Sequence, residues 1–132
     1  MKTSQLKSIF AFLLLAAVTF TSCKKDDPAP QDPIIGSWIG KYGTGNSTPL
    51  TFYSFNILPN GILQVRDFNK AVIGTGKWKL EEQTFYGVYT YQDGGDTYNL
   101  AAKYEVADGT IIGSWGEGET DAGAGEFYLN KE

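Results

Sequence analysis

The 132-residue chain has no histidine, a single cysteine (Cys23), a single methionine and a single arginine (Arg66). Without histidine there is no Ser-His or Cys-His activation of a nucleophile, and no histidine-containing zinc site. One cysteine excludes an intrachain disulfide and any cluster of thiolate metal ligands. Eleven basic residues face fifteen acidic ones. No basic stripe is available to neutralise phosphates, so nucleic acid is excluded as a partner. Long apolar runs are also missing. The longest, Ile9 to Val18, is about ten residues, where a spanning helix needs roughly 20. Beyond that run, no stretch shows a convincing helical period.

What is present falls into three parts. Lys2 and Lys7, the apolar run and Phe20-Thr21-Ser22 form the basic start, apolar middle and pre-cleavage segment of a secretory signal over residues 1–22. Cys23 follows directly. The next stretch, CKKDDPAPQDP over 23–33, is polar and proline-rich, as expected of a semi-stiff spacer that cannot bury enough apolar area to fold. From Ile34 to Glu132 the texture changes to short runs rich in Tyr, Phe, Trp, Val, Ile and Thr, broken by turn signals every eight to twelve residues. Loss of the signal would leave nine Lys/Arg against fifteen Asp/Glu, net −6, on a chain long enough for one small core.

The small residues ahead of Cys23 resemble the lipobox of bacterial lipoproteins, and Lys24-Lys25-Asp26-Asp27 resembles the signal that sends some of them to the outer face of the outer membrane. That resemblance implies lipidation, including a palmitoyl chain, at Cys23. The membrane is then a partner through the lipid, with a surface-exposed location, or a periplasm-facing one as the alternative.

For residues 34–132 the alternation gives eight strands: 34–42, 50–58, 62–67, 72–80, 84–92, 96–106, 110–117 and 123–131. Paired residues in an antiparallel hairpin share a face, which fixes the turns. A three-residue loop at Pro59-Asn60-Gly61 keeps Tyr53, Phe55, Ile57, Leu63 and Val65 together, and the loop Glu81–Thr84 sets Leu80 opposite Phe85. A Gly94-Gly95 turn sets Tyr91 opposite Tyr98 and Tyr89 opposite Leu100. Asp108-Gly109 sets Val106 opposite Ile111 and Tyr104 opposite Gly113. The result is one uncharged inner face, and the expected fold is all-β: an eight-stranded, antiparallel up-and-down β-barrel, closed so that no edge is exposed. GSW at 36–38, GTGKW at 74–78 and GSW at 113–115 echo one another as repeated barrel geometry.

Gly36-Ser37-Trp38 on the first strand resembles the GxW start of lipocalins, and the domain looks like the small lipocalin-like domains of bacterial lipoproteins, with avidin-type barrels as the alternative likeness. With the nucleophile chemistries above removed, the expectation is a binding module with no enzymatic role.

Running the strands up and down gathers Ile34, Ile57, Leu63, Leu80, Phe85, Val106, Ile111 and Leu129 at one end with short turns, a dry closed core. The other end receives Tyr42, Tyr53, Tyr91 and Tyr98, with Trp115 a little below, among longer Gly-rich loops. Phenols at a mouth give apolar walls with hydroxyls free to orient a small amphipathic or glycan-like ligand. With three tryptophans to place, the interior should be filled and any cavity shallow. Asp93, Asp96, Glu117, Glu119 and Asp121 fall on the same rim, but without the spacing of a calcium loop or a sugar-sized cleft, so no metal, cofactor or catalytic residue is expected. Ile39, Phe52, Ile73, Tyr86, Val88, Ile112 and Tyr128 face outward and offer a second expectation, a protein partner docking on the outer wall. The tether would join strand one at the closed end, leaving the mouth pointing away from the membrane.

Overall fold

The computed structural model describes residues 32–132, and the signal segment 1–22, Cys23 and the tether as far as residue 31 lie outside the described residues. Asp32–Glu132 is one compact unit. It therefore begins two residues before the expected boundary. Asp32 accepts hydrogen bonds from the Ile34 and Ile35 amides and so forms the turn that leads into the barrel.

Eight strands follow: β1 (Gly36–Tyr42), β2 (Thr51–Leu58), β3 (Ile62–Arg66), β4 (Val72–Glu81), β5 (Thr84–Tyr91), β6 (Thr97–Glu105), β7 (Thr110–Glu117) and β8 (Gly125–Lys131). Each pairs antiparallel with the next, and β8 pairs back onto β1 to close an up-and-down barrel in chain order. Closure follows from the pattern: side chains alternate across each strand, and rolling the sheet lets every apolar face meet the same interior. Where two strands press together, glycine is required. A Cβ on Gly76 would run into the Val88 carbonyl.

The short turns behave differently from one another. Pro59–Gly61 is the expected three-residue loop, with Ile57 opposite Leu63 and Phe55 opposite Val65. Leu80 lies opposite Phe85 as expected, across a turn reduced to Glu82-Gln83. At the other two hairpins the register is displaced by two residues. Tyr89 pairs with Tyr98, and Gly87 takes the place opposite Leu100. Tyr104 pairs with Ile111 and Ala102 with Gly113. The loops are longer than a two-residue turn, Gln92–Asp96 and Val106–Gly109, and each holds one glycine at positive φ (85° at Gly94, 63° at Gly109). A shift of two preserves the face of every side chain, so the hydrophobic pattern tolerates either register. Only Val106 suffers. Drawn into the turn, it is 58% exposed instead of lining the core.

The closed end is aliphatic and dry. Ile34, Ile57, Leu63, Phe85, Ile111 and Leu129 are all fully buried. Each such side chain contributes roughly 1.5–3 kcal/mol relative to exposure. Above them Trp38, Phe55, Phe127 and Leu100 fill the middle, so the lumen is a packed core beneath its mouth. The three echoing tryptophans each donate an indole N–H to a backbone carbonyl: Trp38 to Ile34 (2.9 Å), Trp78 to Leu58 (2.8 Å) and Trp115 to Gly43 (2.9 Å). Two of these locks tie the closed end and the third ties the mouth.

Arg66 and Ser54 lie on the outer face yet are buried. Arg66 donates from Nε and Nη2 to Ser54 Oγ (3.2 and 2.7 Å) and from Nη2 to Glu132 Oε2 (2.6 Å), while Ser54 donates to the Trp38 carbonyl (2.9 Å). The chain's only arginine is thus linked to the GxW tryptophan through the wall of the barrel.

Candidate functional site

The mouth is built by strand ends. Tyr42 closes β1, Tyr53 stands near the start of β2, Tyr89 and Tyr91 lie at the end of β5, Tyr98 is the second residue of β6 and Trp115 lies near the end of β7. All six point inward because each lies an even number of residues from a core neighbour on its own strand. Their rings form a closed circuit. Going round it, centroid separations are 4.9 Å (Tyr53–Tyr42), 5.8 Å (Tyr42–Trp115), 5.9 Å (Trp115–Tyr98), 5.7 Å (Tyr98–Tyr91), 5.4 Å (Tyr91–Tyr89) and 6.3 Å (Tyr89–Tyr53). Most of the pairs meet edge-to-face or tilted, as the ring quadrupoles prefer.

Within the circuit lies a cavity of about 150 Å³, completed at its rim by Thr44 and Glu117. Its floor is Tyr53 and Tyr89, 4% and 3% exposed, whose hydroxyls hydrogen-bond to each other. Burial pushes both phenols well above the usual tyrosine range. Tyr91 and Tyr98 are also raised. Desolvation is the larger cause in each, and at Tyr98 the carboxylates of Glu117 and Asp96 add to it. All four phenols therefore stay neutral, fit to donate and accept hydrogen bonds and unsuited to act as bases.

Trp115 holds the rim in place. Its indole bond to the Gly43 carbonyl ties β7 to the start of the Gly43–Leu50 loop. The position of Gly125 is bound to this contact, because a Cβ there would collide with that same carbonyl and come within 2.7 Å of the indole nitrogen.

All five residues expected at the mouth, Tyr42, Tyr53, Tyr91, Tyr98 and Trp115, line this one cavity. Three further residues line it: Glu117, already expected on this rim, and Tyr89 and Thr44, which were not. Tyr89 is brought up by the two-residue register shift opposite Tyr98. Glu117 continues the inward face of Trp115 two residues further on, so the inner face ends on a charge. Thr44 comes from the loop after β1, where alternation gives no signal.

The acidic rim divides. Glu117 stays at the mouth, but the loop after β7 folds back along the outer wall, with Ser114 Oγ donating to the Asp121 carbonyl (2.9 Å) and the Gly118 amide to the Thr97 carbonyl (3.0 Å). Glu119 and Asp121, expected on the rim, instead edge an outer groove of about 440 Å³ beside Lys77, Lys79, Tyr86 and Val88. Among the described residues, no three acidic side chains come together as a metal cage would need.

A second outer groove, about 530 Å³, runs over β6–β8 past Pro49, Ala101, Ile112 and Tyr128. Ile39, Phe52, Val88 and Ile112 are exposed as expected on the outward face, whereas Ile73, Tyr86 and Tyr128 are half-buried. Both grooves are wider than the mouth, but they are open and mixed in character, bordered by Lys103 and Glu126 or by Lys77 and Asp121. Convergence of aromatic side chains, the feature that marks a built site, occurs only at the mouth among these three. Set against known proteins, the chain matches no family model, no curated protein and no solved structure.

Proposed function

We propose that this protein is a lipid-anchored, non-enzymatic binding module of the bacterial cell envelope, which holds one end of a small amphipathic or glycan-like ligand in its tyrosine mouth. The observation that carries this reading is the circuit of six aromatic rings around a cavity of about 150 Å³. Ligand pockets for whole drug-sized molecules run to ~300–1,000 Å³. The mouth therefore suits a head group, with the remainder of the ligand outside among the rim loops. Neutral phenols over an apolar wall supply orientation without chemistry, which favours binding over catalysis.

The anchor is proposed at Cys23, on the lipobox-like residues before it and the Lys24-Lys25-Asp26-Asp27 that follow. Outer-membrane display is the favoured location. The described chain enters the barrel at the closed end, where Ile34 is buried and bonded to Trp38. A tether joined there would leave the mouth free.

The direct test is tryptophan emission of the protein titrated with lipid, sugar and haem-like probes. Trp115 lies in the mouth wall, whereas Trp38 is in the packed core beneath it and Trp78 is at the closed end, so a Trp115→Phe variant should abolish any response. If no probe moves the emission, the mouth reading fails. Cys23→Ala should release the protein from the membrane fraction, and unchanged retention would refute the anchor.

The second reading, an accessory subunit docking by its outer wall, rests on the groove past Ile112 and Tyr128. Ile112→Glu should then abolish partner capture while leaving the mouth intact.

A further inference from the structure

We infer that the head group taken by the mouth is an alkylated ammonium, the cationic end of a choline- or betaine-like molecule. This rests on the proposed binding site and narrows its ligand class. Three observations lead to it.

The first is shape and surface. Six of the eight lining residues are aromatic, and neighbouring centroids stand 4.9–6.3 Å apart. A group seated in the cavity is lined by these rings, and the negative face of a ring attracts a cation within ~6 Å. An alkylated ammonium spreads its charge over methyl groups and is cheaply desolvated, so rings can replace its water. A metal ion would demand several acidic ligands, and among the described residues no three acidic side chains come together.

The second is size. At ~30 Å³ per water, the cavity of about 150 Å³ holds roughly five water-sized atoms, the number of heavy atoms in a tetramethylammonium ion. A whole hexopyranose has more than twice as many heavy atoms and would project from the rim.

The third is charge. The only ionisable groups lining the cavity besides phenols are those of Glu117, and no lysine or arginine is among the lining residues. Asp93 and Asp96 stand close enough to act on the Tyr98 phenol, so the rim is negative on the β5–β6 side as well. Such a field attracts a cation and repels carboxylates and phosphates.

Free choline and the choline of a lipid share this chemistry. The negative rim favours the free cation, because a lipid brings its phosphate within reach of Glu117. The experiment is titration of the protein with tetramethylammonium, choline, the neutral choline isostere 3,3-dimethyl-1-butanol, and phosphatidylcholine vesicles, read by Trp115 emission. The expected order is tetramethylammonium and choline at least tenfold tighter than the neutral isostere, with vesicles giving no response. Glu117 is exposed at a strand end, so Glu117→Gln should fold normally. That variant should weaken choline by about tenfold and leave the neutral isostere unchanged. Equal affinity for choline and its isostere would overturn the cation assignment while sustaining a mouth that binds. So would an unchanged choline affinity in Glu117→Gln. A response to sugars or neutral lipids but to no cation would do the same. Binding to vesicles in preference to free choline would overturn the free-cation source and assign the lipid head group.

Discussion

The hydroxyl pair at the floor of the mouth makes a sharp prediction about stability. Tyr53 and Tyr89 donate and accept within one buried bond. Tyr89→Phe removes the partner of the Tyr53 hydroxyl, which lies in a residue only 4% exposed and makes no other hydrogen bond among the described residues. A buried hydroxyl left without a partner costs about 1–3 kcal/mol, and ~2 kcal/mol is expected here. Tyr53→Phe is milder, because the Tyr89 hydroxyl still has that of Tyr91 beside it. About 1 kcal/mol is expected. The double variant leaves no orphan, since both polar groups are gone and two rings of nearly the same shape remain, so it should also cost about 1 kcal/mol. The singles sum to ~3 kcal/mol and the double to ~1, a coupling of roughly 2 kcal/mol, within the usual range for contacting residues. Urea unfolding of all four proteins, compared at constant m, reads this directly. Destabilisations that add in the double variant to within about 0.5 kcal/mol would refute the bond as the organiser of the floor.

Two further outcomes follow from the titrating groups. Burial raises the phenols of Tyr53 and Tyr89, so their stabilising effect is complete below the ordinary tyrosine pKa of 10.0 and is lost as pH rises above it. Stability should fall by about 1.4 kcal/mol per pH unit for each withheld phenol, and phenolate absorbance should show the buried tyrosines titrating only with unfolding. Titration of all eight tyrosines together in a folded protein would contradict this. At the other extreme, the hydrogen bond from Arg66 holds the Glu132 carboxyl below the usual range, so its contribution is present above that range and lost as pH falls through the lowered value. Glu132→Gln should cost about 1 kcal/mol at neutral pH and flatten the acid limb of the stability curve. Parallel pH curves for the two proteins would show the ion pair to be irrelevant.

The barrel was legible in the sequence because face and register are separate questions. Alternation assigned Trp38, Phe55, Phe85, Leu100 and Phe127 to one interior, and any register error of two residues leaves that assignment intact. Register itself was only partly readable. Pro59-Asn60-Gly61 was settled by the apolar residues on both sides of it, whereas Gly94-Gly95 and Asp108-Gly109 offered good two-residue turn chemistry inside loops that are longer. Tyr89 was placed too deep and Val106 too far inward for that reason. The fate of Glu119 and Asp121 depended on a loop folding back through Ser114, a contact without any local signature. Burial of Arg66 was equally hidden, since its partners come from residues 54 and 132.

The seam between β1 and β8 has a consequence for how the molecule assembles. Seven of the eight strand pairings join neighbours in sequence, but Trp38 and Lys131 meet from about ninety residues apart. Closing that distance costs about 2–3 kcal/mol more chain entropy than closing a five-residue hairpin loop. The hairpins should form first, the seam last, and the seam should be the first pairing to open in native-state hydrogen exchange. At its upper end the seam runs on through the Gly43 amide bonded to Glu126 and the Gly45 amide bonded to Ala124. A barrel that begins to unzip there releases Tyr42 and the carbonyl that anchors Trp115, so the aromatic mouth is the last part of the fold to be completed and the first to be lost.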